Sequence, residues 1–169
     1  DHIAETKGAL IESLPSSGTA ILNNDDPRVA EMAKRTDAGI VTYGLENATV
    51  TATNISMETD LTTSFQITTP WGTADSRINI PGVHNVTNAL AAISAGLSMG
   101  FGLEDLCLSL ADIDLSPMRM ESKYLENGNL VINDSYNANP ASMNAAIDTL
   151  LSSPRTQKYA VVGTMAELG

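Results

Sequence analysis

At Pro81-Gly82 the hydrophobic period of the chain changes from two residues to that of a helix, and this change constrains the fold more than any other feature. Before it, over 48–80, Thr, Val, Ile and Phe alternate with polar residues, and Pro70-Trp71-Gly72 punctuates the stretch. That pattern predicts antiparallel strands over 49–57, 61–69 and 74–80. After it, Val86, Leu90, Ile93 and Leu97 share one helical face until Gly100 and Gly102 break it. A second helix is expected over about 103–111.

The flanks extend the alternation of elements. Residues 2–14 read as a helix with Ile3, Leu10, Ile11 and Leu14 at helical spacing. No capping residue precedes it, so the chain is expected to begin inside a larger structure. A strand is expected over 18–23, and Asp26-Pro27 reads as the N-cap and first position of a helix over 27–35. Another short strand is expected over 39–43. Around Asp114 to Pro117 the pattern resets, which places a boundary between a domain over 1–115 and a second over 116–169. Beyond it, strands over 119–126 and 129–134 are joined by Asn127-Gly128, a two-residue hairpin signal. Asn139-Pro140 opens a helix striped by Met143, Ile147, Leu150 and Leu151, and Lys158 to Val162 reads as a strand running into Gly163. The fold class is α/β, the last part being the start of a doubly wound, Rossmann-like domain left unfinished.

Composition removes several function classes. A formal net charge of -11 argues against nucleic acid and anionic membranes as partners, because neither attracts an acidic surface. No apolar run approaches the roughly twenty residues of a membrane helix. The single cysteine, Cys107, forbids an internal disulfide, fits a reducing compartment and reads as a small buried hydrophobe. A soluble cytoplasmic monomer is the expectation. There is no G-x-x-x-x-G-K-[ST] phosphate loop, no G-x-G-x-x-G and no Cys/His cluster, and the histidines are His2 and His84 alone.

Five residues stand out for chemistry. Lys7 lies four residues from both Ile3 and Ile11, on the apolar stripe of its helix, so it either snorkels to water or meets a buried anion. Asn85 and Asn88 sit three apart at a helix start, where they could cap it or donate to a purine or phosphate ester. Asp134 follows the strand Leu130-Val131-Ile132, at the edge where open α/β sheets bind ligands; it could take ribose hydroxyls or simply shape the turn. For Asn139, before Pro140, capping is favoured. Arg119, between Met118 and Met120, points either to water or to a nucleotide held between domains.

Several of these stretches share a further property. NDSYNANPASM (133–143) resembles the D-S-Y-N-A-N-P-x-S-M signature of MurF-type Mur ligases, and GVHNVTNALAA (82–92) resembles the family's G-x-H-N-x-x-N-A-x-A-A motif. GTMAELG (163–169) resembles G-D-M-x-E-L-G with Thr164 for Asp, and the segment around Ala4-Glu5-Thr6-Lys7-Gly8 resembles I-A-x-x-K-G-E-I with Ala9 for Glu. Asn23 to Asp26 resembles N-x-D-D. The resemblance implies the second part of a central ATPase domain followed by the first part of a C-terminal Rossmann-like domain. It implies a ligase that activates a UDP-N-acetylmuramoyl-tripeptide carboxylate as an acyl phosphate and couples it to D-alanyl-D-alanine, using ATP and Mg2+. Asn85 and Asn88 would line the ATP site, with Asn88 on adenine, Arg119 would approach the γ-phosphate, and Asp134 the ribose. Lys7 would be carbamylated and help hold magnesium, but only in a full-length enzyme. The family usually has glycine where this chain has Met118. Without a phosphate loop the 169 residues alone are expected to be inactive, with Lys7 unmodified. Two alternatives are a sibling amino-acid ligase of the Mur or folylpolyglutamate type, and a non-catalytic binding domain derived from one.

Overall fold

The sheet begins with two parallel strands and ends with two antiparallel ones, and the helix after Pro81-Gly82 covers its parallel side. The computed structural model describes residues 2–113 and 117–165. Helix α1 (His2–Glu12) precedes β1 (Thr19–Asn23), then α2 (Pro27–Ala30) and a 3-10 turn (Glu31–Arg35), then β2 (Gly39–Gly44). β3 (Val50–Met57), β4 (Thr63–Thr69) and β5 (Gly72–Ile78) complete a sheet of order β1-β2-β3-β4-β5. β1, β2 and β3 pair in parallel, whereas β3-β4 and β4-β5 are antiparallel. The three strands read from alternation are therefore present, and the first of them also joins the parallel half. Asp25 fixes one corner of that half, because both its carboxylate oxygens accept from the Leu45 amide, at 3.1 and 3.0 Å.

Helix α3 (Val83–Ser98) lies against β1, β2 and β3 through Val86, Ala89, Leu90 and Ile93, all buried. These meet Val50, Ala52, Phe65, Ile67 and Ile78 from the sheet in one core, which Met120 also enters. Helix α4 (Leu103–Leu110) packs on β5 and on α3, where Gly96 leaves room for Leu106: a Cβ there would lie 2.5 Å from Leu106 Cδ2. Cys107 is buried on α4 as expected, and burial pushes its thiol pKa up.

The expected face of α1 is only half right: Ile11 and Leu14 pack against the core, but Ile3 and Leu10 do not. Ala4, Gly8 and Ile11 turn toward Ala20, Leu22 and Met32, while Ile3, Lys7 and Leu10 are exposed. The physical reason is Gly8, whose missing side chain admits the Arg35 guanidinium from the 3-10 turn. Arg35 then bridges back to α1 through Glu5 at 3.0 Å and Glu12 at 2.7 Å. The helix expected over 27–35 is split for a related reason: its second half tightens into the 3-10 turn that delivers Arg35.

Past the boundary expected at 115/116, which lies among residues outside the described set, β6 (Glu121–Tyr124) and β7 (Leu130–Asn133) form an antiparallel pair. Their connection differs from expectation. Only Gly128 has positive φ (79°), and its amide donates to Leu125 O, so the loop is a three-residue turn closed by a left-handed glycine. Helix α5 (Pro140–Ser152) opens with the expected Asn139 cap, reciprocated by Ser142 as a capping box. Of its predicted apolar stripe Met143 and Leu150 are half-buried while Ile147 and Leu151 are exposed, and the residue it buries is Thr149, close to Gly82 at the start of α3. The strand expected over 158–162 is not formed. Val161 and Val162 are exposed there, and a strand exists only where a neighbour supplies the other half of its hydrogen-bond ladder.

Candidate functional site

Four of the five sequence-predicted residues fall in two local groups, Asn85 with Asn88 at the start of α3 and Asp134 with the turn of Arg119 beside β6 and β7, and the charge of Asp134 on His84 links the two. Gly82, with φ 101° and ψ 139°, is the N-cap of α3, so Asn85 is not the cap. Asn85 instead uses its amide to close the entry to the helix. Its Nδ2 donates to Pro81 O at 2.8 Å and lies 3.1 Å from His84 Nε2, while its Oδ1 accepts from Asn88 Nδ2 at 3.4 Å. Asn85 is half-buried and Asn88 is exposed, so Asn88 is the amide that can reach a ligand.

Asp134 follows β7 and is half-buried. Its Oδ1 accepts from the Met120 amide at 3.0 Å, and its charge acts on His84 across the junction. His84 is the residue the sequence reading passed over. Burial lowers its pKa below the usual histidine value, and the Asp134 charge opposes that. Because the folded pKa is depressed, the stability it contributes is present above the unfolded value near 6.5. That stability is lost as pH falls from there through the folded pKa. Urea unfolding midpoints should therefore drop as pH falls below about 6.5, and His84→Gln should flatten the drop. An unchanged slope in that variant would exclude His84 as its source.

Arg119 does not sit on a strand, contrary to expectation. It lies in a turn before β6 between two non-glycine residues of positive φ, Met118 at 62° and Met120 at 51°. Three hydrogen bonds hold that turn: Glu121 Oε2 accepts from the Met118 amide at 3.1 Å, Met118 O accepts from the Tyr136 amide at 3.1 Å, and Asp134 accepts from Met120. Burying Met120, 5 % exposed, helps to offset the cost of the left-handed backbone. Met118 is more exposed, at 40 %, and glycine should suit its backbone better. Met118→Gly is expected to stabilise the fold by roughly 0.5–1 kcal/mol in urea unfolding, the left-handed strain being partly offset by glycine's entropy.

Lys7 stands apart. It is exposed on α1 and makes no hydrogen bond or ion pair with the other described residues, so no contact links it to the junction. Among the described residues no three His, Cys, Asp or Glu gather as metal ligands. These residues do not by themselves form a magnesium site. An exposed carboxamide at Asn88, a half-buried carboxylate at Asp134 and an exposed guanidinium at Arg119 are groups with the chemistry of nucleotide contacts. The 860 Å³ surface groove between β4, β5 and α4 is elsewhere, lined by Phe65, Asp75, Arg77, Glu104 and Leu108 among others. No described helix is long and apolar enough to cross a membrane.

Residues 1–96 match the family model described as Mur ligase middle domain, and residues 118–169 match that of the Mur ligase glutamate ligase domain. The chain is 36% identical over 170 residues to the UDP-N-acetylmuramoyl-tripeptide--D-alanyl-D-alanine ligase of Escherichia coli (strain K12), covering 99% of this chain and 37% of that protein. The Mycobacterium bovis ligase of the same description is 37% identical over 174 residues, covering 99% and 34%. Among solved structures, one of MurF from Acinetobacter baumannii superposes with a TM-score of 0.80 at 34% identity, over 89% of this chain and 33% of that one. The 169 residues thus span about a third of the length of these relatives. Two domain models matched in order, and 36–37% identity to D-alanyl-D-alanine ligases over 99% of the chain, establish that the chain belongs to the Mur ligase family and is of its MurF type.

Proposed function

We propose that this chain forms one wall of the ATP site, and the junction beside it, in a ligase that joins D-alanyl-D-alanine to UDP-N-acetylmuramoyl-tripeptide in the cytoplasm. The observation that carries this reading is that Asp134 holds the turn that carries Arg119 while its charge reaches His84 at the start of α3, the helix of Asn88, in a chain similar along nearly its whole length to such ligases. Segments that the longer relatives possess, and these 169 residues do not, would supply the rest of the site.

In this reading Asn88 donates to the adenine, Asp134 accepts from ribose hydroxyls through the oxygen that does not hold Met120, and Arg119 donates to the phosphates. ATP supplies the phosphoryl group that activates the tripeptide carboxylate. The dipeptide amine then attacks the activated carbonyl carbon, and phosphate leaves. The residues on this chain orient the nucleotide and balance its charge. The domain division near 115/116 belongs to the same reading. Lys7, exposed and apart, is proposed to act only once the remainder of the site surrounds it.

The test is an assay of a ligase of the relatives' length carrying these 169 residues, with ATP and UDP-tripeptide. Coupling of D-alanyl-D-alanine is expected, and turnover with single amino acids alone would sink the substrate assignment in favour of a sibling ligase. Asp134→Ala should weaken equilibrium ATP binding by about tenfold, the scale of one hydrogen bond to a charged group. Asp134→Asn, which keeps an acceptor for the Met120 amide, separates the two roles of the side chain. It should retain the turn and the thermal midpoint while still losing ATP affinity. Full ATP affinity in the Ala variant would remove Asp134 from the site.

A further inference from the structure

Among the described residues Arg119 is held by an aromatic ring and by no carboxylate. Its Cζ lies 4.4 Å from the centroid of Tyr136, and among the described residues it makes no ion pair or hydrogen bond. This occurs although Asp134 and Glu121 both hydrogen-bond to the turn that carries it. The difference is chemical. A carboxylate partner would neutralise the guanidinium and occupy its forked N–H donors, whereas a ring face attracts the cation from above and leaves the in-plane donors open. Tyr136 is itself tied to the same turn, because its amide donates to Met118 O, so ring and guanidinium are fixed in one small unit. Tyr136 is 58 % exposed, which burial does not explain in so large a side chain.

We propose that Tyr136 is a positioning residue: its ring holds the Arg119 guanidinium, still charged and with its donors unoccupied, for the phosphates of ATP. This rests on the ATP-site reading above. It also gives the tyrosine of the 133–143 run a physical task separate from that of Asp134, two residues before it.

The test compares the ligase with its Tyr136→Leu, Tyr136→Phe, Arg119→Gln and Tyr136→Leu/Arg119→Gln variants. Equilibrium affinities for ATP and for adenosine are measured beside ATP KM and kcat, with thermal midpoints to confirm folding. Tyr136→Leu should weaken ATP binding about two- to fivefold, the range of an exposed cation–π contact, with adenosine unaffected. Tyr136→Phe, which keeps the ring, should restore ATP affinity. In the Arg119→Gln background the leucine substitution should cost nothing further. The proposal is overturned if Tyr136→Leu costs as much in that background, if adenosine binding falls equally, or if phenylalanine fails to restore affinity, since the hydroxyl and not the ring would then be at work. Should Arg119→Gln alone leave ATP affinity unchanged, the ATP-site role of Arg119 fails first, and this inference with it.

Discussion

Leu90→Ala is expected to lower the unfolding free energy by about 2–5 kcal/mol, the range for emptying a closed leucine site. Leu90 is 0% exposed, in the middle of the helix that covers β1, β2 and β3 together. It belongs to the core with Val86 and Ile93 above and below it on α3, and with strand residues such as Val50 and Ile67, also 0% exposed. The loss has two parts: the transfer of the removed methylenes and methyls, and the cavity left where sheet and helix cannot collapse together. Leu108→Ala is the matched control, because Leu108 is 73% exposed on α4 and should change stability by no more than about 0.5 kcal/mol. Urea unfolding of the two variants measures the contrast. A Leu90 cost below about 1 kcal/mol would mean that α3 does not close this core.

That core was legible in the sequence because it rests on periodicity. Val86, Leu90 and Ile93 recur at helical spacing, the strands before Pro81 alternate, and each pattern has one geometric reading. The same reasoning misjudged α1, since its buried face is set by a small residue. Ile3 and Leu10 looked like core, whereas Gly8 creates the groove into which Arg35 fits, and glycine carries no hydrophobic signal. Residues 158–162 failed for another reason. Apolar β-forming composition supplies half a strand, and the pairing partner is a tertiary fact that a local window does not contain.

At the candidate site, Asp134 and Asn139 were readable from turn chemistry, and the structure shows both acting on backbone amides. The left-handed Met118 and Met120 were not readable from residue type, because methionine has no preference for that region. The one available sign was the glycine that MurF-type relatives usually carry at the position of Met118. His84 escaped for the opposite reason: its neighbours in the sequence looked more specific, and only the fold sets it against Asp134.

Gly82→Ala is expected to destabilise the fold by roughly 2–5 kcal/mol, as strain at an unfavourable φ combined with overpacking. Its φ of 101° with ψ 139° is backbone that L-residues rarely adopt. An added Cβ would also lie 2.6 Å from Thr149 Oγ1 and 2.7 Å from His84 Cε1. Neither can retreat at low cost. Thr149 is 4% exposed and its hydroxyl donates to Ala145 O at 2.8 Å, while His84 is packed beside Asn85. The substitution therefore pushes α5 from α3 and turns His84, which the charge of Asp134 reaches. ATP affinity should fall with it, even at temperatures where the protein remains folded. Thr149→Ala isolates the contact with α5. It removes the nearest atom, so in the double variant the Thr149 share of the steric loss should be recovered, while the His84 contact and the backbone strain remain. The coupling between the two sites should then exceed about 0.5 kcal/mol in the restoring direction. Strict additivity would show that backbone conformation and the His84 contact make Gly82 necessary, and that α5 does not bear on the start of α3 through Thr149.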